Sequence, residues 1–89
     1  MKPVTPLNIL RHELIGLKVR VSGSRYSPYR RIEGKVSDET RNMLYISTEN
    51  GVKKVPKYVS TFHFTVSDGT VVEVEGCTLV GRPEDRVQR

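Results

Sequence analysis

The chain of 89 residues lacks several features that mark familiar protein classes. It has no tryptophan and only one cysteine. A single cysteine excludes an internal disulfide and a disulfide-stapled fold. The lone Cys77 favours a reducing compartment, and its apolar neighbours predict a small buried core residue. No apolar run is long enough to cross a bilayer, and the N-terminus has no apolar signal core. We therefore expect a cytoplasmic protein without a membrane segment.

The patterns of a self-sufficient enzyme are missing as well. His12 begins a pattern like that of zinc proteases, HExxH, but Gly16 stands where the second histidine should be. One cysteine and two distant histidines make no zinc site, and His63 is expected on the outer face of a strand. The adjacent carboxylates Asp38 and Glu39 should point apart, which does not suit an acid/base pair. The sequence contains no P-loop and no GxGxxG. We predict no catalytic residue, metal ligand or bound cofactor in this chain.

The length allows one domain, with residues 1–4 as a flexible tail and residues 5–89 as a single folded unit. A short N-terminal helix is predicted over about residues 6–15, because Thr5 is a good N-cap and proline is well tolerated at the first helical position. Leu7, Leu10 and Leu14 would share one face of this helix. Such a helix is too short to be stable alone. Either it plugs an open end of the fold, or part of it docks on a partner protein.

The stretch from Arg31 to Ile46 organises the rest of the chain. It contains two apolar alternations with period two, separated by a turn at residues 38–42. Gly34 has no side chain to pack, so it is expected at a sharp bend or a close backbone approach. These features predict a half-buried, strongly curved antiparallel pair.

Further short strands with tight turns follow. Asn50-Gly51 and Asp68-Gly69 are hairpin signals, Phe62 and Phe64 share one strand face, and Gly76 ends a strand. A last short strand at residues 79–80 and a helical turn from residue 83 are further expectations. In total, the pattern predicts a mainly β fold, a small, strongly bent antiparallel barrel of about six strands.

The positive charge is unevenly distributed along the chain. The formal net charge is +5, but residues 18–57 carry ten basic and four acidic side chains, whereas residues 58–89 carry three basic and five acidic ones. The loop at residues 22–31 interleaves arginines with Tyr26 and Tyr29, a composition that suits RNA. This distribution is expected if one side of the domain meets phosphate groups, and it is also compatible with a solvated surface.

Three segments resemble the archaeal ribonuclease P protein component 1 family, the counterpart of a eukaryotic ribonuclease P/MRP subunit. They are RHELIGL at residues 11–17, GKVSDETRNMLYI at residues 34–46 and RPEDR at residues 82–86, and VPK at residues 55–57 and TFHF at residues 61–64 also fit. The resemblance runs from about residue 5 to residue 86. Met43 departs from the family pattern, in which threonine is more usual.

The resemblance implies an Sm-like barrel and a role as a protein cofactor of an RNA enzyme. That enzyme removes the 5′ leader of precursor tRNA, and its catalytic centre and magnesium ions belong to the RNA. The implied partners are the ribonuclease P RNA, the zinc-ribbon protein component 4 near the N-terminal helix, and other ribonuclease P proteins, with precursor tRNA as an open possibility.

Two sets of residues are candidates for these contacts. The side chains predicted to bind RNA phosphates are Lys18, Arg20, Arg25, Arg30, Arg31, Lys35, Arg41, Lys53, Lys54, Lys57, Arg82 and Arg86. Those predicted to contact the protein partner are Leu7, Leu10, Arg11 and Leu14.

Other functions remain open at this point. A general Sm-like or ribosomal RNA-binding barrel predicts the same charge. An SH3-like protein-interaction module would want an exposed aromatic groove. A self-sufficient nuclease would need clustered carboxylates or histidines, which the sequence does not show.

Overall fold

The computed structural model describes Ile9, residues 14–24 and residues 31–81. Within these ranges the chain forms six β-strands and a short 3-10 helix at Gly76–Leu79. The strands are β1 (Lys18–Ser24), β2 (Glu33–Glu39), β3 (Met43–Thr48), β4 (Gly51–Pro56), β5 (Ser60–Thr65) and β6 (Val71–Glu75). None of the described helices has the length and apolar character needed to span a bilayer.

All six strands belong to one sheet in the order β4-β3-β2-β1-β5-β6, and every neighbouring pair is antiparallel. The register shifts between Val21 and Gly23 where β1 meets β5, and between Val36 and Asp38 where β2 meets β3. Such bulges bend a strand and increase its twist. The two central strands are therefore the ones along which the sheet curves.

One face of the bent sheet encloses the core. Its inward side chains come from alternate positions of all six strands and are at most 6% exposed: Val19, Val21, Val36, Leu44, Ile46, Val55, Phe62, Phe64 and Val74. Ile9, Leu14, Val66 and Leu79 complete this cluster from outside the strands. A single sheet with no second layer can bury one face so fully only by curling around it. The predicted mainly β, strongly bent fold of about six strands is confirmed.

The predicted hairpin turns are also confirmed. β3 and β4 pair from Thr48 opposite Gly51, which has a φ of 105°. Between β5 and β6 the backbone N–H of Thr70 donates to Asp68 Oδ1 at 2.9 Å. Hydrogen bonds from the side chain and backbone of Thr70 lower the pKa of Asp68 below its usual value of 3.8.

Gly34 lies where β2 and β3 approach each other closely. A Cβ atom at this position would be 2.0 Å from the carbonyl oxygen of Ser47, a backbone atom of β3. No side chain fits there unless the backbone moves, so the close approach expected from the sequence is confirmed. The close approach of the two strands depends on this glycine.

Several local expectations differ from the structure. The predicted helix over residues 6–15 does not reach its expected end, because Leu14 is in no regular element and Ile15 lies in a turn. Ile9 is in a 3-10 turn, and the other residues of that prediction lie outside the described ones. Residue 79 belongs to a 3-10 helix instead of a strand, Cys77 is exposed, and the predicted helical turn from residue 83 lies outside the described residues.

Candidate nucleic-acid interface

The outer face of β1 and β2 brings basic side chains together. Strand alternation turns Val19 and Val21 into the core, so Lys18 and Arg20 point outward, and both are exposed. In the register of the sheet, Lys18 is directly opposite Lys35 of β2, and Arg20 is opposite Glu33. Two lysines of neighbouring strands therefore face solvent side by side.

A groove of about 530 Å³ runs over this pair. It crosses the outer face from β2 through β1 and β5 to the start of β6. Its lining combines three cations and one carboxylate with His63, Thr65 and the exposed Val71. The basic members are Lys18, Arg20 and Lys35.

A second groove of about 580 Å³ adjoins the first at Gly34. It is lined by the start of β2 and by the end of the β3–β4 hairpin, where Ser47, Thr48 and Asn50 supply polar groups. Its basic members are Arg31, Lys35 and Lys53. The backbone of Arg31 is left-handed, with a φ of 64°, an uncommon conformation for a residue other than glycine.

The two grooves share Glu33, Gly34 and Lys35, so Lys35 stands between them. Together they contain five lysine or arginine side chains and two glutamates, and His63 is the single further titratable group. Among the described residues, none of the five cations forms an ion pair with a carboxylate. An unpaired cluster of this sign attracts polyanions.

His63 lies on the outer face, as predicted, at the floor of the first groove. Its Nε2 shares a hydrogen bond with Ser22 Oγ and lies 3.7 Å from Glu73 Oε1. Its side chain is 19% exposed. These contacts fix the ring between β1 and β6 and leave part of it open to the groove.

Seven residues of the predicted contact sets lie outside the described part of the chain: Arg25, Arg30, Arg82, Arg86, Leu7, Leu10 and Arg11. Two predicted RNA contacts are exposed but line neither groove. Arg41 lies in the β2–β3 turn at the opposite end of β2, and Lys54 of β4 stacks over the ring of Tyr45 at 5.9 Å. The structure thus brings together five of the twelve predicted phosphate-binding side chains.

Lys57 requires a correction, because its side chain is fully buried and cannot meet a phosphate in this conformation. Its Nζ lies 2.8 Å from Glu39 Oε2, and it donates to the carbonyl oxygens of Thr40 at 2.7 Å and Gly81 at 3.0 Å. The pair joins the end of β2 to the segment after the 3-10 helix. Lys57 is a structural residue of the barrel.

Leu14 requires a similar correction. It is 0% exposed and belongs to the core cluster, so it is not available to a partner protein in this conformation. The neighbouring Ile15 is 45% exposed. Ile9 and Leu14 therefore pack into the core, which agrees with the first of the two roles considered for the N-terminal segment.

Some residues of the grooves were not predicted from the sequence. Thr65, Val71, Ser47, Thr48 and Asn50 line them, but none carries a charge that marks it as a phosphate contact. For Thr65, the signal was its position on the outward face of β5, two residues after His63. For the other four, the signal appears only with the strand register.

Comparison with known proteins identifies the family of this chain. The family model described as "Ribonuclease P/MRP, subunit p29" matches residues 7–89. The chain belongs to this family. Among its relatives is the ribonuclease P protein component 1 of Pyrococcus furiosus, 56% identical over 97% of this chain and 68% of that protein. The component 1 protein of Methanothermobacter thermautotrophicus is 47% identical over 97% of this chain and 94% of that protein.

A solved structure agrees with this assignment. It is that of Mth11, described as a homologue of the human RNase P protein Rpp29, and it superposes with a TM-score of 0.62 at 47% identity. The match covers 84% of this chain and 97% of the other. The resemblance to the ribonuclease P protein component 1 family noted from the sequence is therefore confirmed over nearly the whole chain.

Proposed function

We propose that this chain is an RNA-binding protein subunit of ribonuclease P, which assists the catalytic RNA in removing the 5′ leader of precursor tRNA. The observation that carries the proposal is the group of five cations around Lys35, which form no ion pair within the described part of the chain and lie on the fold of a ribonuclease P protein family. If the RNA performs the chemistry, this chain needs a surface that binds the phosphates of that RNA. The two grooves supply such a surface.

The mechanism follows from charge. A folded RNA repels itself, and each phosphate requires a nearby counterion. Lysine and arginine side chains that bind the phosphates release the condensed counterions. Less salt is then needed to hold the RNA compact. Magnesium bound to the RNA would supply the catalytic chemistry. The residues of this chain bind and position the RNA backbone.

Protein partners are part of the same proposal. Component 4, the zinc-ribbon subunit, is the partner proposed for the N-terminal segment, where Ile15 is exposed next to the buried Leu14. The assembly is proposed to act in the cytoplasm. Contact with precursor tRNA is not needed for the mechanism above.

Reconstitution of the enzyme tests the proposal. The protein is mixed with the ribonuclease P RNA of its organism, component 4 and a precursor tRNA, and leader removal is timed at a magnesium concentration that limits the RNA alone. We expect the full mixture to cleave faster than the mixture without this chain. A small unrelated protein of the same net charge is the control, because it supplies the charge without the fold.

The outcomes separate the candidate functions. Acceleration by this chain but not by the control supports the ribonuclease P role. Equal acceleration by both, or equally tight binding of unrelated structured RNAs without acceleration, indicates a general RNA-binding barrel. No effect on cleavage and no RNA binding contradicts the proposal.

A further inference from the structure

The pairing of Lys18 with Lys35 is unfavourable for the folded protein by itself. Directly opposite residues of antiparallel strands have Cβ atoms about 5 Å apart, and like charges at that separation repel. Both side chains are exposed, and no carboxylate within the described ranges pairs with either of them. Across the sheet the uncharged Thr65 and Ser47 flank the two lysines, and the carboxylate of Glu33 lies two residues along β2, opposite Arg20.

The surroundings of the pair suit an anion with several oxygen atoms. Arg20 lies two residues along β1 on the same face, and the hydroxyls of Thr65 and Ser47 lie on either side of the lysines. The groove over the pair continues into the second groove at Lys35. Ammonium groups and hydroxyls donate hydrogen bonds and fit phosphate oxygens, whereas nothing here selects one base over another.

We infer that Lys18 and Lys35 form the central phosphate clamp of the RNA interface, in which one backbone phosphodiester lies between the two ammonium groups. The inference rests on the proposed function and adds to it that these two lysines act as a pair on one phosphodiester. The bound phosphate removes the repulsion between the lysines. Recognition at this point is of the RNA backbone and is independent of sequence.

A charge reversal at Lys18 separates this role from a structural one. In the variant Lys18→Glu, the new carboxylate is directly opposite Lys35 and only diagonal to Glu33, so the folded protein exchanges a repulsive cross-strand pair for an attractive one. We expect its Tm to rise by about 1–5 °C. We expect its affinity for the ribonuclease P RNA transcript to fall by about tenfold or more near 0.1 M salt, and the slope of log K against log salt to decrease in magnitude by about one.

The matched control is Lys54→Glu. Lys54 is exposed, carries the same charge and lies on β4, but it lines neither groove. Both variants have the same net charge, so a difference between them reports position. Lys54→Glu should lose less than about threefold in RNA affinity, since it removes only long-range attraction that salt screens.

Direct binding and cleavage are measured on the same samples. Weaker RNA binding together with a raised Tm for Lys18→Glu, and near-normal binding for Lys54→Glu, supports the clamp. Unchanged binding of Lys18→Glu, or equal losses in both variants, overturns it. If the wild-type chain binds the RNA through Lys18 but does not accelerate cleavage, the clamp stands and the proposed function fails. If the wild-type chain does not bind the RNA, both fail.

Discussion

At the scale of single residues, Lys57 shows that a lysine can belong to the core of a small basic barrel. Its charge is buried, but Glu39 and backbone carbonyls satisfy it. Charge counting assigned it to the RNA surface because a charged residue is normally exposed. The alternation of β4 predicts the burial of Lys57 better. Lys57 directly follows β4 and is two residues after the buried Val55, which places it on the inward side.

This pair makes the first prediction. Lys57→Met removes the cation that lies 2.8 Å from the buried Glu39 carboxylate, so it should lower the free energy of unfolding by about 3–5 kcal/mol. The double variant Lys57→Met/Glu39→Gln removes both charges and should lose less than the two single variants together. Urea denaturation measures all four proteins. Strictly additive losses would show that the pair is not coupled.

Leu14 makes a second prediction at the same scale, with its neighbour as control. Leu14 is fully buried, so Leu14→Ala should cost about 2–5 kcal/mol of unfolding free energy. Ile15 is 45% exposed, so Ile15→Ala should cost much less, within about 1 kcal/mol. Thermal and urea unfolding give both values. Similar losses of unfolding free energy at the two positions would contradict the burial of Leu14 next to an exposed Ile15.

At the scale of the elements, the close approach of β2 and β3 at Gly34 lies next to Lys35, which the two grooves share. The carbonyl oxygen of Ser47 leaves no room for a Cβ atom at Gly34. The sequence predicted this feature because a glycine in the middle of an alternating strand often marks a bend or a close backbone approach. The sequence could not predict that two grooves meet at this position, because the grooves depend on which strands become neighbours.

Gly34→Ala tests this close approach. The added methyl group would force β2 and β3 apart, and overpacking of this kind costs about 1–3 kcal/mol or more. We also expect weaker RNA binding in the fraction that remains folded, because Lys35 moves with the strand. Gly69→Ala is the control, since a Cβ at Gly69 meets nothing within 4 Å and only its φ of 88° is strained. If Gly69→Ala reduces RNA affinity as much as Gly34→Ala, the close approach of β2 and β3 at Gly34 is not part of the interface.

The expectation of a helix that ends at residue 15 shows the limit of local reasoning. Leucines with helical spacing predicted a helix to residue 15, but Leu14 is used by the barrel core and the hydrogen bonds of this region go elsewhere. Gly16 N–H donates to Val36 O at 2.8 Å, and Val36 N–H donates to Leu17 O at 2.9 Å. Tertiary packing overrides a weak helical preference of this kind.

At the scale of the whole molecule, the charge distribution follows the sheet order. The grooves are lined by basic residues of three strands, Lys18 and Arg20 of β1, Lys35 of β2 and Lys53 of β4, whereas the acidic Glu73 and Glu75 lie on the edge strand β6. The sequence predicted this imbalance from the net charges of its segments. It could not show which cations share a groove, because residues as distant as Lys18 and Lys35 meet only when the strands pair.

The most direct test of the account is the magnesium dependence of precursor tRNA cleavage by the reconstituted enzyme, with wild type compared with Lys18→Glu. If cationic side chains replace counterions of the RNA, the wild-type chain should accelerate cleavage at limiting magnesium. Lys18→Glu should be slower there and approach the wild-type rate as magnesium is raised. A wild-type chain without effect at limiting magnesium, or a defect of Lys18→Glu that persists undiminished at high magnesium, would contradict the account.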